Sequence, residues 1–169
     1  MEKLIKRIEL GNILIQSGEV VISDPCYNTD IWCLGIEQVK KGEYICSADL
    51  YDFGDWGKRI GKIRINHIDN PKCRATRPLD ETIGVDSGQA GFFEKNYYEK
   101  YHKKYYVDED KEDDAWYRRV CDITLDKPNC GTIDNAGCVS ESGCGDGGYW
   151  LRAGYNSKGE IVALEIDFR

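Results

Sequence analysis

Residues 60–68, IGKIRINHI, alternate apolar and polar side chains with a period of two. Ile63, Ile65 and His67 fall on one face, and Lys62, Arg64 and Asn66 on the other. This alternation suits a strand with one side on a core and one toward water, as in antiparallel sheet. The pattern returns at the end of the chain, in EIVALEIDF (160–168), where Val162, Leu164, Ile166 and Phe168 share a face. Glu165 and Asp167 then point away from the core and are expected to be solvent-facing. GYWLRAGY (148–155) precedes this strand across NSKG, a hairpin loop whose glycine suits a positive φ.

The rest of the chain is read against these strands. In NILIQSGEVVIS (12–23), two β-branched runs flank Ser17-Gly18, which predicts a hairpin turn. GEYICSADL (42–50) predicts another strand. Residues 69–82, DNPKCRATRPLDET, hold two of the four prolines and little periodicity, and are expected to be a connector. IGVDSGQAGFF (83–93) begins as a strand and breaks at Ser87-Gly88. EKNYYEKYHKKYY (94–106) places Tyr97, Tyr101 and Tyr105 at helical spacing. A second helix is expected from Asp113 or Asp114, with Trp116, Val120 and Cys121 on one side. The expectation is a β-rich α+β fold: an antiparallel β-sandwich or partly closed barrel, with a small helical insertion over about residues 94–121. Residues 1–169 read as one domain, without internal repeat or low-complexity stretch.

Composition narrows the function classes. The chain is 41% hydrophobic and 31% charged, the balance of a globular protein. No apolar run approaches the ~20 residues that cross a bilayer. MEKLIKRIEL places charges through the one apolar segment near the start, so no signal peptide is expected. The expected location is the cytoplasm, that of the host if the chain is phage-encoded. A net charge of −7, with lysines and arginines scattered among carboxylates, argues against a nucleic-acid partner. DEDKEDD (108–114) reads as a solvated loop before a helix. The eight cysteines include no C-x-x-C or C-x-x-H pair, and only His67 and His102 could add imidazole. Reduced thiols are expected, with no metal and no cofactor.

Three turns could carry chemistry: VISDPCY (21–27), GVDSGQAG (84–91) and GCGDGGY (143–149). Each sets one aspartate at a strand–turn junction, namely Asp24, Asp86 and Asp146. The commonest use of such a carboxylate is to accept amides of its own turn. The functional alternative gathers the three turns at one end of the sheets, with Tyr27, Gln89 and Tyr149 nearby. A cluster of this kind could hold Mg²⁺ or Ca²⁺, or split two carboxyl pKa values for acid–base work. GCGDGG matches the letters of G-x-G-x-x-G, but a strand rather than a helix should follow it, so no dinucleotide fingerprint is read. Cys26 or Cys144 with His67 as base is conceivable. However, Asp24 beside Cys26 should raise that thiol, and His67 lies on an apolar strand face.

Taken together, VISDPCY, VDSGQAGFF and GCGDGGYWLRAGY…GEIVALEIDF resemble an uncharacterised bacterial and phage family known as a domain of unknown function. Its motifs are D-[SA]-G-Q-[AM]-G and a closing G-[WY]-G-D-G-x-Y hairpin, and the match spans residues from about 18 to 168. Cys144 stands where an aromatic residue is usual. The resemblance implies a single domain of bacterial or phage origin, and it implies no catalytic residues.

The residues favour a cytosolic binding module. It would capture a small polar ligand, with a nucleotide-type signal or a host protein as variants, through Asp24, Tyr27, Asp86, Gln89, Asp146 and Tyr149. The alternatives are a metal-dependent or acid–base hydrolase using the aspartates, and an oligomer formed through Tyr97, Tyr101 and Tyr105.

Overall fold

The computed structural model describes residues 2–32, 34–102 and 111–169. Its elements in chain order are β1 (Lys3–Ile15), β2 (Glu19–Ser23), β3 (Gly35–Gln38), β4 (Gly42–Asp52), β5 (Lys58–His67), β6 (Arg77–Val85) and β7 (Gln89–Glu94). Then come α1 (Lys95–His102), α2 (Lys111–Leu125), β8 (Cys130–Ile133), β9 (Gly137–Glu141), β10 (Gly147–Tyr155) and β11 (Ile161–Asp167). The described strands form two antiparallel sheets. The larger is ordered β1-β4-β5-β11-β10-β6 and the smaller β3-β2-β7-β9-β8. The sheets face each other as a sandwich and do not close into a barrel.

The main core lies between the sheets. Ile13, Ile15, Tyr44, Ile63, Ile65, Leu151, Leu164 and Ile166 from the larger sheet meet Val20, Ile22, Ala90, Phe92 and Cys138 from the smaller. The face assignments of β5 and β11 therefore hold. A second cluster covers the far face of the smaller sheet. There Val21, Phe93, Ile133 and Val139 pack under Tyr98, Trp116 and Val120 of the helices. The arrangement is three layers deep: sheet, sheet, helices.

The Ser17-Gly18 segment is not a hairpin turn. β1 pairs with β4, whereas β2 pairs with β3 and β7, so this turn carries the chain from one sheet to the other. Turn chemistry alone cannot distinguish these outcomes. The second half of the supposed connector is strand β6, which pairs with β10 from Arg77 onward. Its exposed edge position tolerates Pro78. β3, β8 and β9 give no clear signal in the sequence. β7 shows why: covered on both faces, QAGFFE is buried at all six positions and cannot alternate. Gly91 marks the tightest approach there, because a Cβ would collide with the Cys138 carbonyl of β9. The second helix starts at Lys111 and runs to Leu125, so 113 and 114 lie inside its first turn. Tyr105 and residues 108–110 lie outside the described residues.

The outer face of the larger sheet is charged. Asp49 is clasped by Arg7 and Arg64, each at 2.8 Å. Glu165 takes Lys62 at 2.6 Å and Arg64 at 2.8 Å, and Asp167 takes Arg169 at 2.8 Å and Lys62 at 3.0 Å. Glu165 does point away from the core, yet it is only 8% exposed, which corrects its reading as solvent-facing. Neighbouring cations on β5 fold over it. Burial alone would raise Asp49, but the hydrogen bonds from Arg7 and Arg64 outweigh it and hold that carboxyl below its ordinary range. Asp167 behaves the same way under Arg169 and Lys62. A carboxylate depressed in the folded state stabilises above its unfolded pKa, and that contribution is lost as pH falls through the folded value. The urea midpoint is therefore expected to change little from pH 7 to 5 and to drop below about pH 4. Asp49→Asn should lower the midpoint at pH 7 and flatten the acid drop; an unchanged acid profile would refute this assignment.

Candidate functional site

The Asp24 carboxylate is fully buried and ties two turns together. Its Oδ2 accepts the Asp86 N–H at 2.9 Å and the Ser87 N–H at 2.7 Å. Its Oδ1 accepts the Ser87 hydroxyl at 2.6 Å and the Cys26 N–H at 2.9 Å. Three of these four bonds come from a turn about sixty residues away, so Asp24 does far more than close its own turn. Four donors fill the acceptor sites of a carboxylate. From the other side, the Tyr27 hydroxyl donates to Asp86 Oδ2 at 2.5 Å. Tyr98, buried on α1, holds its hydroxyl within reach of the Asp24 and Tyr27 carbonyl oxygens. Burial pushes its phenol up, so it stays a donor.

The third turn joins the same rim. The Ser142 N–H donates to the Gly88 carbonyl at 3.0 Å, and Gly147 and Gly148 pair with Val85 and Gly84. Inside the turn, the Ser142 hydroxyl donates to the Gly145 carbonyl at 2.7 Å, and the Tyr149 hydroxyl reaches that oxygen at 2.6 Å. Gly143 has φ +58°, and a Cβ there would sit 2.6 Å from the Ile60 carbonyl oxygen. Glycine is therefore required by conformation and by space alike.

The three turns converge, but their three carboxylates have different environments. Asp24 is saturated with donors, Asp86 is exposed and bound by Tyr27, and Asp146 is exposed. Among the described residues, no group of three or more His, Cys, Asp and Glu side chains comes together to hold a metal. Gln89 lies elsewhere. It is buried against α2, where its amide accepts the Thr124 hydroxyl at 2.8 Å and donates to Cys121 Sγ. Tyr149 is buried edge-on against Phe168 and braces its turn from within.

Beside this rim runs a groove of about 450 Å³, lined by Tyr27, Ile31, Trp32, Thr82, Asp86, Gly147 and Gly148 among others. Trp32 is 93% exposed at its edge. Sequence reasoning missed Trp32, Ser87 and Tyr98. The only available signal was the Tyr97-Tyr98 pair, which turns two adjacent aromatic rings to different sides of one helix and implies that both sides are covered.

The nucleophile arrangement does not form. Desolvation pushes the Cys26 thiol up, and Asp24 and Asp86 push it further. The His67 ring is 3% exposed. Its Nδ1 accepts the Asp69 N–H, which leaves Nε2 to donate to the Lys41 carbonyl, so no ring nitrogen remains to act as a base. The seven described cysteines are free thiols. Tyr97 and Tyr101 are engaged within the chain: Tyr97 bonds Asp134 and Trp116, and Tyr101 stacks on Trp116. No described helix is long and apolar enough to cross a membrane.

Fold and rim together define a β-sandwich with one helical cover and a groove built at converging turns. Comparison with protein-family models, curated proteins and solved structures finds no match.

Proposed function

We propose that this protein is a binding module that captures a small polar ligand, or a polar side chain of a protein partner, in the groove beside the three turns. The observation that carries this reading is the rigid rim, in which Asp24 and the Ser142 N–H lock three turns into one wall. A preformed wall spares the ordering cost that a loose loop would incur on binding. Trp32 offers an apolar face, and Asp86 with the Tyr27 hydroxyl offers an oriented acceptor. Exposed carboxylates at Asp86 and Asp146 favour a ligand that carries hydrogen-bond donors or positive charge. They disfavour a phosphate, so a nucleotide is not the expected occupant of this groove.

The hydrolase reading gains no support from the geometry. Its paired carboxylates would need one acid held protonated beside one ionised base, whereas Asp24 is committed to backbone donors. Native mass spectrometry of protein purified from its own cells tests the binding reading. A retained small-molecule mass or protein partner is expected on the wild type. Trp32→Ala and Asp86→Ala should each reduce occupancy by about tenfold, the loss of one good contact. Equal occupancy in all three proteins, or none in the wild type, would reject the groove as the site.

A further inference from the structure

The outer face of the larger sheet holds a second concavity, on a different surface from the rim groove. It has a volume of about 600 Å³ and lies between β5, β10 and β11 and the segment 71–76. The segment is fixed in place. Asn66 donates to the Cys73 carbonyl at 2.7 Å, and Gly154 lets the segment lie flat on β10, because a Cβ there would stand 2.6 Å from the Arg74 carbonyl oxygen. The cavity wall is thus part of the folded sheet edge.

Its charge opposes that of the chain. Seven cations line it: Arg7, Lys62, Arg64, Lys72, Arg74, Arg152 and Arg169. Two carboxylates line it as well, Glu165 and Asp167. They and the neighbouring Asp49 are paired with Arg7, Lys62, Arg64 and Arg169. Lys72, Arg74 and Arg152 have no ion-pair partner among the described residues, so the cavity carries an excess of positive charge in a protein of net charge −7. Strand register reinforces this. Arg152 sits directly across from Glu165, which in turn faces Arg64, in one row over β10, β11 and β5. Glu165 turns its oxygens to Lys62 and Arg64, leaving Arg152 unmatched. The floor itself is short of acceptors. The Nη1 of Arg64 is buried with no hydrogen-bond partner among the described residues, although Nε and Nη2 are committed to Glu165 and Asp49. A native fold rarely leaves such a donor unmet.

We propose that this cavity binds a phosphorylated small molecule through Lys72, Arg74 and Arg152 over the fixed arginine floor. Arginine forks match phosphate oxygens in a bidentate manner, and the concavity falls within the range of small-ligand sites. A small molecule fits better than a nucleic-acid strand. A compact polyanion samples only the local field, whereas a long strand would also meet the acidic remainder of the surface.

Isothermal titration calorimetry with inorganic pyrophosphate, adenosine triphosphate and a single-stranded oligonucleotide tests this, in low salt and without divalent cations. Pyrophosphate and the nucleotide are expected to bind. Arg152→Ala and Arg74→Ala, whose side chains hold no hydrogen-bond or ion-pair partner among the described residues, should each weaken both by roughly tenfold and leave the thermal midpoint unchanged. The double variant should abolish measurable binding. Absence of binding to the wild type at roughly 10 mM ligand would overturn the proposal, as would affinities unmoved by the variants. An oligonucleotide that binds tighter than the nucleotide, and loses affinity in the same variants, would replace it with a nucleic-acid surface. None of these results depends on Trp32 or Asp86, so this site and the rim groove stand or fall separately.

Discussion

Asp24→Ala is expected to destabilise the fold by roughly 3–5 kcal/mol, read as a fall in the urea midpoint at pH 7. The side chain is fully buried and accepts four hydrogen bonds. Its removal leaves the amides of Cys26, Asp86 and Ser87 and the Ser87 hydroxyl without their acceptor. Charge-assisted bonds are the stronger kind, and unmet donors cost more than the bonds themselves contributed. Asp24→Asn keeps one acceptor oxygen and the shape of the group, and should lose roughly half as much. Amide exchange at 86 and 87 should speed up in both variants, since Asp24 Oδ2 is the acceptor for both protons. A loss under about 1 kcal/mol in the alanine variant would mean that water or a shifted turn satisfies the same donors, and the rim would not be the rigid wall described above.

Trp116→Ala should be comparably costly, roughly 3–5 kcal/mol, through a different cause. Trp116 is 2% exposed and is the hub of the helical layer. Tyr101 stacks on it at 5.2 Å, and Phe93 and Tyr98 meet it edge-on at 6.0 and 5.8 Å. Its indole N–H donates to the Tyr97 hydroxyl at 2.8 Å. Truncation removes a large apolar volume that helices anchored on a sheet cannot close over, and it takes away one donor from the Tyr97 hydroxyl, which keeps its bond to Asp134. Trp116→Phe should retain most of the packing and lose mainly the hydrogen bond. Because Trp116 packs on Tyr98, which holds the Asp24 and Tyr27 carbonyls, the alanine variant should also loosen the rim. A double-mutant cycle with Asp24→Ala would then depart from additivity, whereas strict additivity would separate the helical cover from the turns.

How far the residues alone reveal this architecture depends on how many faces of a strand are covered. β5 and β11 have a core on one side and a charged lattice on the other, so their alternation is plain in the sequence. β7 and β9, covered on both sides, carry no such signal. Ser17-Gly18 shows a second limit. A turn can be recognised from its residues, but the sheet to which the next strand goes is set by pairings with β3 and β7 far along the chain. The candidate site divides in the same way. Glycine and aspartate at three junctions mark the turns, and the turns do meet. Which carboxylate faces inward was hidden, because Asp24, Asp86 and Asp146 each stand at a strand–turn junction and the donors that bury Asp24 come mainly from residues 86 and 87 far along the chain. The basic cavity was invisible for a related reason. Its cations are scattered from Arg7 to Arg169 and become neighbours only through strand order.

That order has a bearing on how the chain is made. β11, the last of the described strands in chain order, occupies the interior of the larger sheet between β5 and β10. A ribosome delivering the chain from its N-terminus must release β5 long before the strand that flanks it. Until then, the edges of β5 and β10 stay open to any passing extended peptide. Completion of the sandwich is thereby tied to the arrival of residues 161–167, and a product that stops short of them has its middle missing rather than its margin trimmed.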